Sequence, residues 1–200
     1  MTVIAAILGG VVSGFLGGVF SNDIRNFLFG ARLDLDLTEQ GSRFPTRYRD
    51  GSQGIFIRVR VRNLSLSIAR SCRAFLTKIE KKNETGQFAS TRYVESCQLL
   101  WAAQGDGSRP LDIPRGIEQY VDVVLSSSNS VQLCQTTVTP LIAYNDVLAE
   151  PGTYRLEVLV SGDGFIPKFY RIIVTHNGTW NEVTVEKEPG ILAAAWTGRD

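Results

Sequence analysis

His176 is the only histidine in the 200 residues. A Ser-His-Asp triad or a Cys-His dyad would have to use it. It sits at the end of an apolar run, beside the turn pair Asn177-Gly178, and no Gly-x-Ser-x-Gly elbow accompanies it. That position predicts an exposed turn histidine rather than a catalytic base. Zinc needs three or four ligands, usually with two of them closely spaced. Cys72, Cys97 and Cys134 are 25 and 37 residues apart, with no CxxC. They read as three free thiols, which suits a reducing compartment. No Walker A loop and no GxGxxG occurs.

Asp34 and Asp36 project from one face of an alternating segment, where they could bind calcium or act as paired carboxylates. Arg58, Arg60 and Arg62 form an equally regular basic stripe. If the two segments are neighbouring strands, the expected outcome is cross-strand ion pairs, each worth about 0.2–1 kcal/mol. Arg43, Arg47 and Arg49 precede that stripe, so six of the 21 basic residues fall within 20 positions. A patch of this kind would attract anionic headgroups, an acidic protein or a nucleotide. A plain solvated face is the simpler expectation. Neither a catalytic residue nor a metal or cofactor ligand is expected, and the chain does not read as an enzyme.

The 21 Lys+Arg against 20 Asp+Glu leave a net charge of +1. That balance argues against binding nucleic acid by bulk electrostatics. The hydrophobic share is 44%, enough for a core.

Residues 3–20, VIAAILGGVVSGFLGGVF, carry no charge, and Ser13 is their one polar side chain. As a helix they would span roughly 27 Å, close to the ~30 Å of a bilayer core. Residues 1–21 therefore read as a transmembrane helix. A signal peptide would want a basic start and small residues at its exit, and Val19 is out of place there. A buried soluble helix would not carry two GG pairs. Gly10, Gly14 and Gly18 are spaced by four, and so are Gly9, Ser13 and Gly17. Such ribbons let two backbones approach closely in lipid, which predicts self-association. Arg25 and Arg32 follow the helix and no basic residue precedes it. The positive-inside tendency then puts the rest of the chain in the cytoplasm.

Residues 22–31 read as a juxtamembrane junction. From residue 32 the period is two. Leu33, Leu35 and Leu37 share one side, as do Ile55, Ile57, Val59 and Val61. Further strands are expected over 70–78, 96–102, 118–125, 131–139, 153–161, 169–175 and 182–187. The segment 40–53 reads as a polar loop, and Asn177-Gly178 as a primed hairpin turn. Nine short strands predict an all-β, antiparallel, immunoglobulin-like β-sandwich over 32–188, with a tail at 189–200. Sequons at Asn63, Asn83 and Asn177 would matter only in a translocated domain.

The stretch Pro151-Gly-Thr-Tyr-Arg-Leu-Glu-Val-Leu-Val160, with the two runs after it, resembles the closing strands of immunoglobulin-like modules. Val61-Arg-Asn63, Ala69–Leu76, Leu100-Trp101, Asp112–Gly116 and Tyr120-Val-Asp122 resemble uncharacterised prokaryotic membrane-anchored β-sandwich proteins. The resemblance implies a fold and an anchor, and it carries over no active site. The chain departs from antibody domains in lacking their Cys…Trp…Cys spacing around one core disulfide. The expected function is a single-pass anchored binding module that tethers an unidentified protein partner at the membrane, self-associating as an oligomer. The alternative is a membrane-active effector whose glycine-rich helix forms or disrupts a membrane assembly.

Overall fold

Alternation builds the first sheet. The computed structural model describes residues 30–48, 50–93, 95–102, 107–128, 130–135 and 146–188. β1 (Leu33–Asp36) buries Leu33 and Leu35, and its aspartates point outward. β2 (Arg43–Arg47) and β3 (Gln53–Asn63) follow, and Ile55, Ile57, Val59 and Val61 of β3 all face the core. β1 and β2 share one edge of β3, pairing with its second and first halves respectively. On the other edge lies β9 (Glu118–Ser127), which carries β7 (Leu100–Trp101) and β10 (Ser130–Leu133) beyond it.

The second sheet is built around β4 (Ala69–Lys82) and β11 (Gly152–Asp163). β12 (Lys168–His176) and β13 (Thr184–Lys187) extend it on one side. β5 (Phe88–Ser90), β6 (Cys97–Gln98) and β8 (Leu111–Ile113) pair with β4 on the other. Every pair of strands is antiparallel, and the two sheets close on one shared core.

The segment 97–101 belongs to both sheets. Cys97 pairs with Leu76 of β4, whereas Trp101 pairs with Val121 of β9. Consecutive amides diverge: Leu99 N–H donates to the Ala74 carbonyl (2.9 Å), and Leu100 N–H to the Cys134 carbonyl (3.2 Å). Trp101 lies fully buried between the layers and donates its Nε1–H to the Cys72 carbonyl at 3.2 Å.

Several expectations change. The predicted strand over 96–102 is two strands in different sheets. The loop expected over 40–53 contains β2, and two further short strands, β5 and β8, were not expected. Asn177-Gly178 is not a two-residue hairpin turn. β12 and β13 do pair, but Thr175 stands opposite Thr184, and the connection between the strands spans 177–183 and includes a 3-10 turn (Trp180–Glu182). Asn177 Oδ1 instead accepts from the Thr179 amide, with Gly178 at φ +92°. β4 and β11 are offset by bulges, and at one of them only glycine fits. A Cβ on Gly162 would lie 2.4 Å from the Arg70 carbonyl oxygen. Of the predicted strand 131–139, residues 136–139 lie outside the described residues.

The stretch 1–21, with Gly9, Gly10, Ser13, Gly14, Gly17 and Gly18, and the tail 189–200 also lie outside them. Among the described residues no helix is long and apolar enough to cross a membrane.

Candidate functional site

The arginine stripe lies on the outer face of the first sheet, because its neighbours in β3 alternate into the core. Register places Arg62 opposite Asp34 and Arg60 opposite Asp36. Both become ion pairs, at 3.6 and 3.5 Å, and Arg60 also holds Glu118 at 3.0 Å. Arg58 donates to Asp122 at 2.6 Å. Its guanidinium carbon lies 4.1 Å from the Phe44 ring centre and 5.1 Å from that of Phe56. Arg43 donates to the Asn181 carbonyl, and Arg47 is exposed at the end of β2. Arg49 lies outside the described residues. The structure thus brings Arg58, Arg60 and Arg62 together as one row and pairs each with a carboxylate. The aspartates expected to pair with that stripe do so.

Asp122 is a partner that alternation alone did not reveal. Its signal in the sequence is a lone carboxylate inside the apolar run Tyr120-Val-Asp-Val-Val-Leu125. Burial raises its pKa, and the Arg58 charge and hydrogen bond pull the other way. Burial also pushes the nearby Cys134 thiol well up, with the Asp122 charge adding to it. Cys72 is pushed up to about 12 by burial and by Asp112 and Asp163. Burial raises the Cys97 thiol too. All three thiols are free and buried. High thiol pKa values make these poor nucleophiles. Among the described residues no group of three or more His, Cys, Asp or Glu could hold a metal ion.

His176 is not an exposed turn residue. It ends β12 opposite Gly152, is only 2% exposed, and stacks on Tyr154 with ring centres 5.6 Å apart. Neither ring nitrogen makes a well-formed hydrogen bond. Burial lowers its pKa below the usual 6.5, the Lys81 charge lowers it further, and the Leu148 backbone opposes both. As pH falls, the unfolded chain therefore takes up the proton first. The stabilisation is complete above pH ~6.5 and drains away below it, by at most ~1.4 kcal/mol per pH unit. Thermal melts from pH 8 to 5 should show this loss, and His176→Phe should flatten it. An equally steep loss in the variant would assign the effect to another group.

Asn63 is likewise buried. Its side-chain amide donates to the Ser67 and Ile113 carbonyls, and its Oδ1 accepts from Ser65. The first sequon is thus structural, whereas Asn83 and Asn177 are exposed.

A groove of about 560 Å³ runs along the open edge of the two sheets, between the β1–β2 connection and β13. Leu37, Val183 and Val185 supply its apolar wall, and Glu39, Arg43, Glu186 and Lys187 its charges. Among the described residues β13 pairs with β12 only. The Glu188 amide donates to the Arg171 carbonyl, so Glu186 and Thr184, two and four residues back, also bond toward β12. Val185 and Lys187 therefore turn their backbone N–H and C=O groups to the groove.

No family model matches the chain, and no curated protein matches it either.

Proposed function

We propose that the protein is a single-pass membrane-anchored module with an immunoglobulin-like β-sandwich that tethers a polypeptide partner at the membrane. In this reading residues 1–21 form the anchor and self-associate through Gly10, Gly14 and Gly18, and the domain lies in the cytoplasm. The observation that carries the binding role is the open edge groove. An extended segment could add to β13 through the Val185 and Lys187 backbone, with alternate side chains against Leu37 and Val183. The three closing strands β11–β12–β13 support the immunoglobulin-like reading of the domain, with no disulfide among the described cysteines.

The buried native thiols leave the surface free for a reporter. Thr85→Cys, in the exposed turn after β4, should react with an impermeant maleimide only after lysis, and Thr2→Cys in intact cells. Labelling of residue 85 in intact cells would reverse the orientation. Gly14→Ile should convert a crosslinked oligomer to monomer. Dye leakage from vesicles carrying the full chain would turn the reading to the membrane-active alternative.

Val185→Pro tests the edge. It removes a groove-facing N–H and leaves the β12 ladder intact. A photo-crosslinker at Thr184 should form a discrete adduct in intact cells. The proline should weaken it about tenfold, the loss of a backbone bond worth ~1.4 kcal/mol. An undiminished adduct, with unchanged melting, would place the partner elsewhere.

A further inference from the structure

Six of the large apolar side chains that the domain exposes gather at one pole. Leu64, Leu66 and Ile68 occupy the connection from β3 to β4, and Leu66 is 81% exposed. Ile117 precedes β9, Ile166 lies in the β11–β12 turn at 63%, and Phe169 follows it on β12. Topology makes them neighbours. β3 and β11 end at this pole, and β4, β9 and β12 begin there. Asn63 bridges to Arg115, drawing the Ile117 loop against Leu64. Asp163 stands opposite Arg70, which sets the β11–β12 turn beside the start of β4. Among the described turns of the opposite pole, at 48–52, 83–87, 127–128, 151–152 and 177–178, Tyr48 is the one large hydrophobic residue exposed, at 38%. An apolar cluster of this kind on a domain surface signals contact with a partner or a membrane.

Two further observations choose the partner. The described chain begins here: the Leu64 amide donates to the Arg32 carbonyl, and the Arg32 amide to Ser65 Oγ. The uncharged stretch 3–20 is separated from Gly30 by only nine residues, and the chain enters the described domain at this pole. The rim is cationic. Arg32, Arg70, Arg115 and Lys168 are exposed there, against the carboxylates Asp112, Glu118 and Asp163, of which Glu118 is held by Arg60 at 3.0 Å. Asp112 already accepts from the Ser71 amide at 2.8 Å.

We infer that this pole is a docking surface for an anionic bilayer, its apolar side chains entering the headgroup layer and its arginines and lysine meeting lipid phosphates. Amphipathic surfaces of this composition seat at the interface rather than crossing it. The inference rests on the membrane-anchored reading, and it adds an orientation: the strands stand upright on the membrane, and the open edge groove faces sideways.

The full chain in proteoliposomes tests it. An environment-sensitive fluorophore is attached at Leu66→Cys or Ile166→Cys, with Thr85→Cys as the far-pole control. Lipid-borne quenchers in phosphatidylcholine with phosphatidylglycerol should quench positions 66 and 166 at least threefold more than position 85. Arg32→Glu with Arg115→Glu, or removal of phosphatidylglycerol, should reduce that excess. Equal quenching at all three positions overturns the docking, and an excess that survives without the anionic lipid overturns its charge selectivity. Carbonate extraction separates the two readings. A chain retained by the membrane but unquenched keeps its anchor and loses the docking. A chain extracted by carbonate yet quenched on anionic vesicles loses the anchor and keeps the docking.

Discussion

Trp101→Ala is expected to remove about 3–5 kcal/mol of stability, the range for deleting a large buried aromatic. Domains of this kind hold only ~5–15 kcal/mol in total, so the variant should sit near the edge of folding. Two losses combine. The indole fills the space between the sheets, and its removal leaves a cavity that strands pinned by ladder bonds cannot close. The Cys72 carbonyl also loses the Nε1–H donor at 3.2 Å. Trp101→Phe separates these terms, since it keeps most of the volume and deletes the hydrogen bond. Its cost should be nearer ~1–2 kcal/mol. Urea unfolding of the three proteins measures both differences. A Trp101→Ala midpoint within error of the parent would mean that the sheets repack without the indole.

Asp122→Ala is the second large effect, at about 2–4 kcal/mol. Arg58 is held between Phe44 and Phe56 and cannot swing freely into water, so removing Asp122 strands a mostly buried cation. The double variant Arg58→Leu/Asp122→Leu should recover most of that loss, to within ~1 kcal/mol of the parent. The direction of the Asp122 titration agrees. Burial outweighs the arginine and lifts the folded carboxyl above its usual value. A raised carboxyl favours folding when protonated, so this group's contribution declines as pH rises through its unfolded and then its folded pKa. A double-mutant cycle in urea reads the coupling directly. Equal losses in the single and double variants would show that the pair stabilises the sheet in its own right.

The parts of the fold that were legible are those where one face is wet and the other dry. Leu33/Leu35 and Ile55–Val61 alternate because β1 and β3 meet that condition, and the same alternation set Asp34 and Asp36 against the Arg58, Arg60 and Arg62 stripe, while the register that joins Asp34 to Arg62 and Asp36 to Arg60 is read from the structure. β2 was illegible because Arg43-Phe-Pro-Thr-Arg47 is exposed on almost its whole length, so burial imposes no period on it. β5 and β8 are three residues each, too short for a period to register. Cys97–Trp101 is mostly apolar because it is buried while passing from one layer to the other, and a run without alternation does not tell which sheet owns it. The end of β4 was missed because Glu80 looks like a loop residue. It is buried and held below the usual carboxylate range by Arg155 first, with Lys78 assisting. His176 misled for a related reason: Asn177-Gly178 marks a turn correctly, but the ring lies back over Tyr154 instead of following it outward. The edge groove has no sequence signature, since Leu37 and Val185 are brought together only by the closing of the two sheets.

The crossing of residues 97–101 between sheets matters mechanically. In the proposed arrangement, a pull toward the membrane on residue 30, resisted by a partner held along β13, would act on opposite sheets of the domain. β1 would be drawn along its own axis, so its bonds to β3 share the tension together instead of opening one after another. The force must then pass from the first sheet to the second. The covalent chain from Cys97 to Trp101 provides that passage, with the Leu99 amide fastened to one layer and the Leu100 amide to the other. Sliding of the layers is thus resisted by backbone as well as by apolar packing, and the domain is suited to bear tension between the two attachments proposed for it.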